Sequence, residues 1–247
     1  MPYPWTSNDV LSASELNSAV LGSGGEGYSY VQTLYFTSSG TFTKATYPWL
    51  RAICVKVQGG GGASCSVLLT AVGESSAASG GAGGTYAESF ITNIAGLSAS
   101  ETVTVGAGGI GGGGTGGNGG TSSFGSLVSA SGGGGGIIIS STGQNISRIN
   151  TAGGNPNPTA TGDFVVVGGA GHYGHVLSPG YSTRSAVGGN GGDAKLGHGA
   201  RAQNASAGGV AGADYGGGAG GGANGPSRST VNGSNGGAGI VIVELYA

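Results

Sequence analysis

Histidine, tyrosine and arginine are the side chains here best placed for chemistry. His172, Tyr173, His175, Tyr181 and Arg184 fall in one segment, His198 and Arg201 in the next, and Tyr215 follows. Aromatic residues are only 7% of the chain, so this gathering departs from its composition. Tyr and Arg are the usual anchors of binding surfaces. Tyr beside Ser, Gly and Asn is also the makeup of antibody loops. Any one of these residues could equally plug the end of a packed body; as a group they point to recognition.

Catalysis has less to stand on. A catalytic site needs converging polar groups, and the ten acidic residues, from Asp9 to Glu244, are dispersed. Matches to G-x-G-x-x-G arise by chance in a chain with 61 glycines, and none follows a strand and opens a helix. No Gly-Lys-Ser/Thr phosphate loop is present. His172 and His175 have H-x-x-H spacing, but no cysteine or acid is spaced with them. Exposed loop histidines are expected, with no metal, no cofactor and no enzymatic activity. Cys54 and Cys65 are too few for a disulfide framework and are expected as free thiols.

Composition narrows the partners. Charged residues are 7% of the 247 and the net charge is −2, too little charge for a solvated disordered chain. Lys and Arg are scattered from Lys44 to Arg228, which offers no nucleic-acid footprint. No apolar run is long enough to span a bilayer, so no membrane insertion is expected. The opening MPYPWTSNDVLSASELNSAV does not read as a secretory signal. Synthesis in a cytoplasm and exit by lysis are expected.

Two regions must position these residues. Residues 1–27 read as an anchor arm, a short helix and a hinge; residues 28–247 read as one glycine-rich domain. Ser12 to Glu15 fits a capping box, and Ala13, Leu16, Ala19 and Val20 share a helical face. So short a helix is unstable alone in water. Trp5, Leu11, Leu16 and Val20 are therefore expected to anchor the chain to other proteins or to further copies of itself. Beyond the hinge, strands are expected at 28–31, in two pieces within 34–43, and at 50–58, 86–92, 102–105, 124–129 and 240–246. The strands at 50–58 and 240–246 are expected in one small sheet.

Glycine tracts fill the intervals. Ala107 and Ile110, then Thr115, Asn118 and Thr121, are spaced by three, with a phase slip at Gly113-Gly114. GGNGGD at 188–193 and the spacing of Asn232, Asn235 and Ala238 repeat the pattern. Three is the period of an extended left-handed helix. Glycine at two positions in three lets such helices pack closely and pair their backbone groups with neighbours. The fold class expected is all-β and irregular: a short N-terminal helix, a small β-sheet and a bundle of polyglycine-II helices with end loops. The tract at 106–120 reads as one rod of about 45 Å at ~3.1 Å per residue.

FTSSGTFT (36–43), QGGGG (58–62), GGTYAESFI (83–91), TVTVGAGGIGG (102–112), GGTSSFGSLVSASGGGGG (119–136) and NGGAGIVIVELY (235–246) occur in this order. Together they resemble the glycine-rich domain of bacteriophage tail fibre proteins. The resemblance covers about residues 34–246. It implies polyglycine-II helices whose end loops bind host surface polysaccharide or an outer-membrane protein. It further implies location in a virion, contact with other virion proteins and a homotrimer. Trp5 to Val20 more loosely resembles the opening segments of small phage fibre proteins. A purely structural head fibre or decoration protein is the alternative. The stretches at 63–79 and 137–161 exceed what a minimal bundle needs.

Overall fold

A computed structural model of the protein describes residues 27–138, 148–149, 153–176, 186–204 and 207–247. In chain order these contain β1 (Tyr30–Phe36), β2 (Gly40–Thr43), β3 (Ala52–Gln58), β4 (Ser76–Ala77), β5 (Tyr86–Ile91), β6 (Ser100–Thr104), β7 (Ser122–Phe124) and β8 (Val128–Ala130). There follow β9 (Arg148–Ile149), β10 (Ala160–Thr161), β11 (Phe164–Val166), β12 (His175–Val176), β13 (Ala186–Val187), β14 (Ala223–Asn224) and β15 (Ile240–Tyr246). Two three-residue 3-10 turns, at Lys44–Thr46 and Ile94–Gly96, are the only helical turns among the described residues.

The fold expectation is corrected accordingly. The described chain is all-β, with several antiparallel sheets and no α-helix, in place of a short helix and one small sheet. The helix expected at 12–21 lies outside the described residues, as do Trp5, Leu11, Leu16 and Val20. Sheet order is β1-β15-β3-β5-β11 in the first sheet and β10-β8-β7-β6-β2 in the second. Smaller sheets are β13-β12-β9 and β14-β4.

Two large sheets are needed because one would leave its apolar face wet. In β3 and β15, Ile53, Val55, Val57, Val241, Val243 and Leu245 point inward and are fully buried. Phe42, Val103, Phe124, Val128 and Ala130 from the second sheet cover them. Val55 pairs with Val243 and Ser89, and Lys56 with Ile242 and Glu88, so the register sends Val55 and Val243 to the core face and Lys56 and Glu88 to the outer one. β1 and β2, expected as a turned pair, diverge instead into different sheets. The strand expected at 124–129 is a hairpin of β7 and β8. Gly125 turns it at φ +53, where a Cβ would also meet the Glu101 carboxylate.

The glycine tracts leave this sandwich as extended segments outside the named strands. Their hydrogen bonding repeats every third residue. Gly60, Ala63 and Ser66 donate to Gly120, Gly117 and Gly114; Gly61, Ser64 and Val67 donate to Gly237, Ser234 and Val231. Gly59 and Gly62 donate to Thr85 and Ala82. The same segment accepts from Gly109, from Gly133 and Gly136, and from Ala219. It thus has six hydrogen-bonded neighbours, where a β-strand has two. A Cβ on Gly59, Gly61 or Gly62 would land on a carbonyl of Ser131, Gly217 or Gly134, so only glycine fits.

One rod expectation is also corrected. Residues 106–120 fold back on themselves, with Gly117 donating to Ile110 and Gly120 to Ala107. The phase slip at Gly113-Gly114 is the turn. Such reversals give the molecule two ends. One is the sandwich; the far end carries the two small sheets and the bridges Val67 to Val231 and Thr70 to Arg228.

Candidate functional site

At the far end, Val176 is buried with Ala77, Ala186 and Ala223, which fixes β12 on the bundle. His172 is held from both sides: its N–H donates to Asn190 at 2.8 Å and its carbonyl accepts from Gly80 at 3.0 Å. On this fixed backbone Tyr173 is 46% exposed, and its ring lies 5.1 Å from that of His175. The far end also displays Leu69 and, at 82% exposure, Val72. Both come from the 63–79 stretch, whose role the sequence left open. Leu69 N–H donates to Thr230 Oγ1, and Thr70 Oγ1 donates to the Gly225 carbonyl at 2.7 Å.

The sequence cluster is therefore divided. His172, Tyr173 and His175 come together at the far end. Tyr181 and Arg184 lie outside the described residues. His198 and Tyr215 sit toward the sandwich: the His198 carbonyl accepts from Ala213, and neighbouring Leu196 donates to Gln58 Oε1 at 3.3 Å. Gly80 pairs with His172 and Gly84 with Gly216, so the two groups stand roughly 12 Å apart along the bundle at ~3.1 Å per residue. Arg201 is exposed between them, its carbonyl facing Gly220. Among the described residues no three His, Cys, Asp or Glu side chains gather to hold a metal ion.

A second surface escaped the sequence reading altogether. On the outer face of the first sheet, Lys56 Nζ lies 2.5 Å from Glu244 Oε1. Tyr246 donates to Glu244 Oε2 at 3.2 Å, and Tyr86 to Glu88 Oε2 at 2.6 Å. Cys54 Sγ donates to Glu88 Oε1 at 3.4 Å. Burial, the hydrogen bond to Glu88 and that carboxylate's charge push the Cys54 thiol up to about 12. The same three causes raise the Tyr86 hydroxyl. Burial disfavours the Lys56 charge, but Glu244 outweighs it and the ammonium is raised. Around this centre stand Tyr28, Tyr30, Tyr35, Phe90, Phe164 and Tyr246. Phe90 meets Tyr28 edge-on at 5.5 Å and Tyr246 at 5.4 Å. These residues come from both ends of the domain sequence. Only the strand register brings them together, so no local motif announces them.

The architecture is that of an all-β protein in which hydrogen-bonded glycine segments join a sandwich to a far end with displayed side chains. The chain belongs to the glycine-rich domain family, whose model matches residues 37–246. A comparison with curated proteins finds no match.

Proposed function

We propose that this protein is a bacteriophage fibre component, at the tail fibre or its tip, that attaches the particle to its host. The observation that carries the reading is the polarity of the molecule. Ser29 and Ala247 bond to each other at the sandwich edge remote from the bundle, so the chain enters there. Exposed apolar and aromatic side chains, Leu69, Val72 and Tyr173, lie at the opposite end. Glycines that face neighbouring carbonyls admit no side chain, and segments packed this closely make a stiff spacer. Residues before Gly27, with Trp5, Leu11, Leu16 and Val20, are the attachment to other virion proteins. Tyr173 and His175 contact surface polysaccharide or an outer-membrane protein, with Tyr181 and Arg184 contributing from the adjoining segment. Contacts of this kind are individually weak and gain strength from several copies on one particle.

The test compares phage carrying Tyr173→Ala with His175→Ala against wild type. Adsorption to host cells should fall at least about tenfold with an unchanged melting temperature. Normal adsorption by particles that carry the variant would leave a purely structural fibre or decoration protein.

A further inference from the structure

Asn232 and Asn235 stand three apart on one glycine segment, yet their surroundings differ. We infer that Asn232 is a modification site: its side-chain amide is lost by attack of the Gly233 nitrogen, and the fold directs this reaction to Asn232 ahead of every other described asparagine that precedes glycine. Such pairs begin at Asn118, Asn190, Asn224, Asn232 and Asn235. Glycine suits the attack because it has no Cβ to shield its nitrogen and its backbone turns freely. Sequence alone leaves all five as candidates.

The fold separates them. Attack needs a side chain free to swing over the next nitrogen. It also needs that N–H released from its own hydrogen bond, because an extended backbone holds the two groups apart. At Asn118, Asn190 and Asn235 the side-chain oxygen accepts from the N–H of Gly135, Ala202 and Gly111 at 2.9, 2.6 and 2.8 Å. The N–H of Gly119, Gly191 and Gly236 donates to Gly133, Ala200 and Gly109 at 2.9, 2.8 and 3.0 Å. Asn224 is 1% exposed, and its amide donates to the Leu68 and Ser229 carbonyls. Asn232 is exposed, and among the described residues its side chain has no hydrogen-bond partner. The Gly233 N–H reaches the Gly112 carbonyl only at 3.4 Å, and that carbonyl also accepts from the Gly114 N–H and the Ser66 hydroxyl. Gly112 itself belongs to the open reversal of 106–120, where a Cβ would meet nothing within 4 Å. A local opening there frees Gly233 without disturbing the packed segments.

The reaction balances with water alone. The Gly233 nitrogen bonds to Asn232 Cγ, and the side-chain nitrogen leaves as ammonia with the proton from Gly233. A five-membered cyclic imide remains, and water opens one of its two C–N bonds. One product is an aspartyl residue with the backbone unchanged. The other is an isoaspartyl residue, whose backbone runs through the former side-chain carbon. Either takes the net charge of the chain from −2 to −3. The aspartyl form leaves the fold intact, since nothing bonds this side chain. The isoaspartyl form adds a backbone atom between the bridge of Val231 to Val67 and the hydrogen bond of Ser64 to Ser234, and so breaks their register. The inference does not rest on host attachment and is tested without it.

Full-length folded protein is aged in mildly alkaline buffer, digested and sequenced by mass spectrometry. The amide should be lost first at position 232. Its rate should exceed those at Asn118, Asn190 and Asn235 about tenfold or more, since each of these must first give up hydrogen bonds. In denaturant this lead should vanish. Asn232→Gln, whose longer side chain cannot close a five-membered ring, should remove the early product and leave the melting temperature unchanged. Matching rates at Asn232 and Asn235 in the folded protein would overturn the inference. So would a lead that persists in denaturant, early ammonia release that persists in Asn232→Gln, or a folded Asn232 that stays intact while the denatured chain reacts.

Discussion

The sandwich and the glycine bundle are held together by opposite means. In the sandwich, side chains such as Phe42, Phe124, Val55 and Leu245 supply the stability by leaving water. In the bundle there is almost no side chain to bury, and backbone amides and carbonyls pair with up to six neighbours. Sequence freedom differs as a result. An apolar core accepts residues of similar volume, whereas a glycine facing a neighbouring carbonyl accepts nothing larger. Variation is then confined to the segment ends and to the outward third positions.

The largest effect should come from a side chain forced into the bundle. A Cβ on Gly189 would fall on the His172 carbonyl, and one on Gly191 on that of Gly218. Both obstacles are backbone and cannot rotate away. Gly189→Val should cost more than about 5 kcal/mol and yield little folded protein, as read by circular dichroism and soluble yield. Gly117 is a milder site, where the Cβ would stand 3.0 Å from Ile110 N and O. Ordinary melting of Gly189→Val would mean that these contacts relax and that the bundle is not rigid.

The sandwich should respond by volume. Phe124 is fully buried and its ring centroid lies 5.5 Å from that of Phe42. Phe124→Ala should cost about 3–5 kcal/mol in a denaturant melt. Phe124→Leu should keep most of that stability. Equal losses in the two variants would contradict the idea that this half depends on filled volume.

Legibility in the sequence followed the same division. The period of three in GGNGGD and its relatives matches the spacing of the hydrogen bonds, because each third residue faces the same neighbour. The role of the repeated asparagines was not legible. Asn118 Oδ1 accepts from Gly135 N–H, Asn190 Oδ1 from Ala202 N–H, and Asn235 Oδ1 from Gly111 N–H. They bond amides of neighbouring segments, and the sequence does not say which segments are neighbours. Strand positions such as 240–246 were legible from β-prone runs, but the division into two sheets was not. Pairings such as β1 with β15 join opposite ends of the domain. Composition singled out His172, Tyr173 and His175, which the structure brings together at one end. His198 and Tyr215 were grouped with them, whereas the structure sets them toward the sandwich; nearness along the chain hid the reversals that carry the segments from end to end.

Alkaline pH should separate the halves more gently. Cys54 is raised from its ordinary 9.0 to about 12 in the folded protein. Below pH 9 the thiol is neutral in both states and costs nothing. Between 9 and about 12 the unfolded thiol ionises and the folded one does not, so stability falls as pH rises. Tyr86, also raised, acts in the same direction. Lys56, raised as well, loses its favourable folded charge over the same rise. Melting temperature should decline above pH 9, and Cys54→Ala should flatten part of the decline. No change up to pH 11 would show that these groups titrate alike in both states.

The smallest effect should come from glycines at the reversal between the paired segments of 106–120. Around Gly112 and Gly113 a Cβ meets nothing within 4 Å, and neither has the positive φ that disfavours other residues. Both are glycine in sequence and belong to a tract that reads uniformly, yet the structure releases them from the constraint on Gly109 or Gly116. Ala at such a site removes freedom from the unfolded chain without strain in the folded one, for a gain of about 0.4–1 kcal/mol. Gly112→Ala and Gly113→Ala should therefore melt at or slightly above wild type. Gly109→Ala, three residues earlier, puts a Cβ on the Gly117 carbonyl and should melt far below. If all three fall together, the turn is packed as tightly as the segments it joins, and the freedom assigned to the segment ends is lost with it.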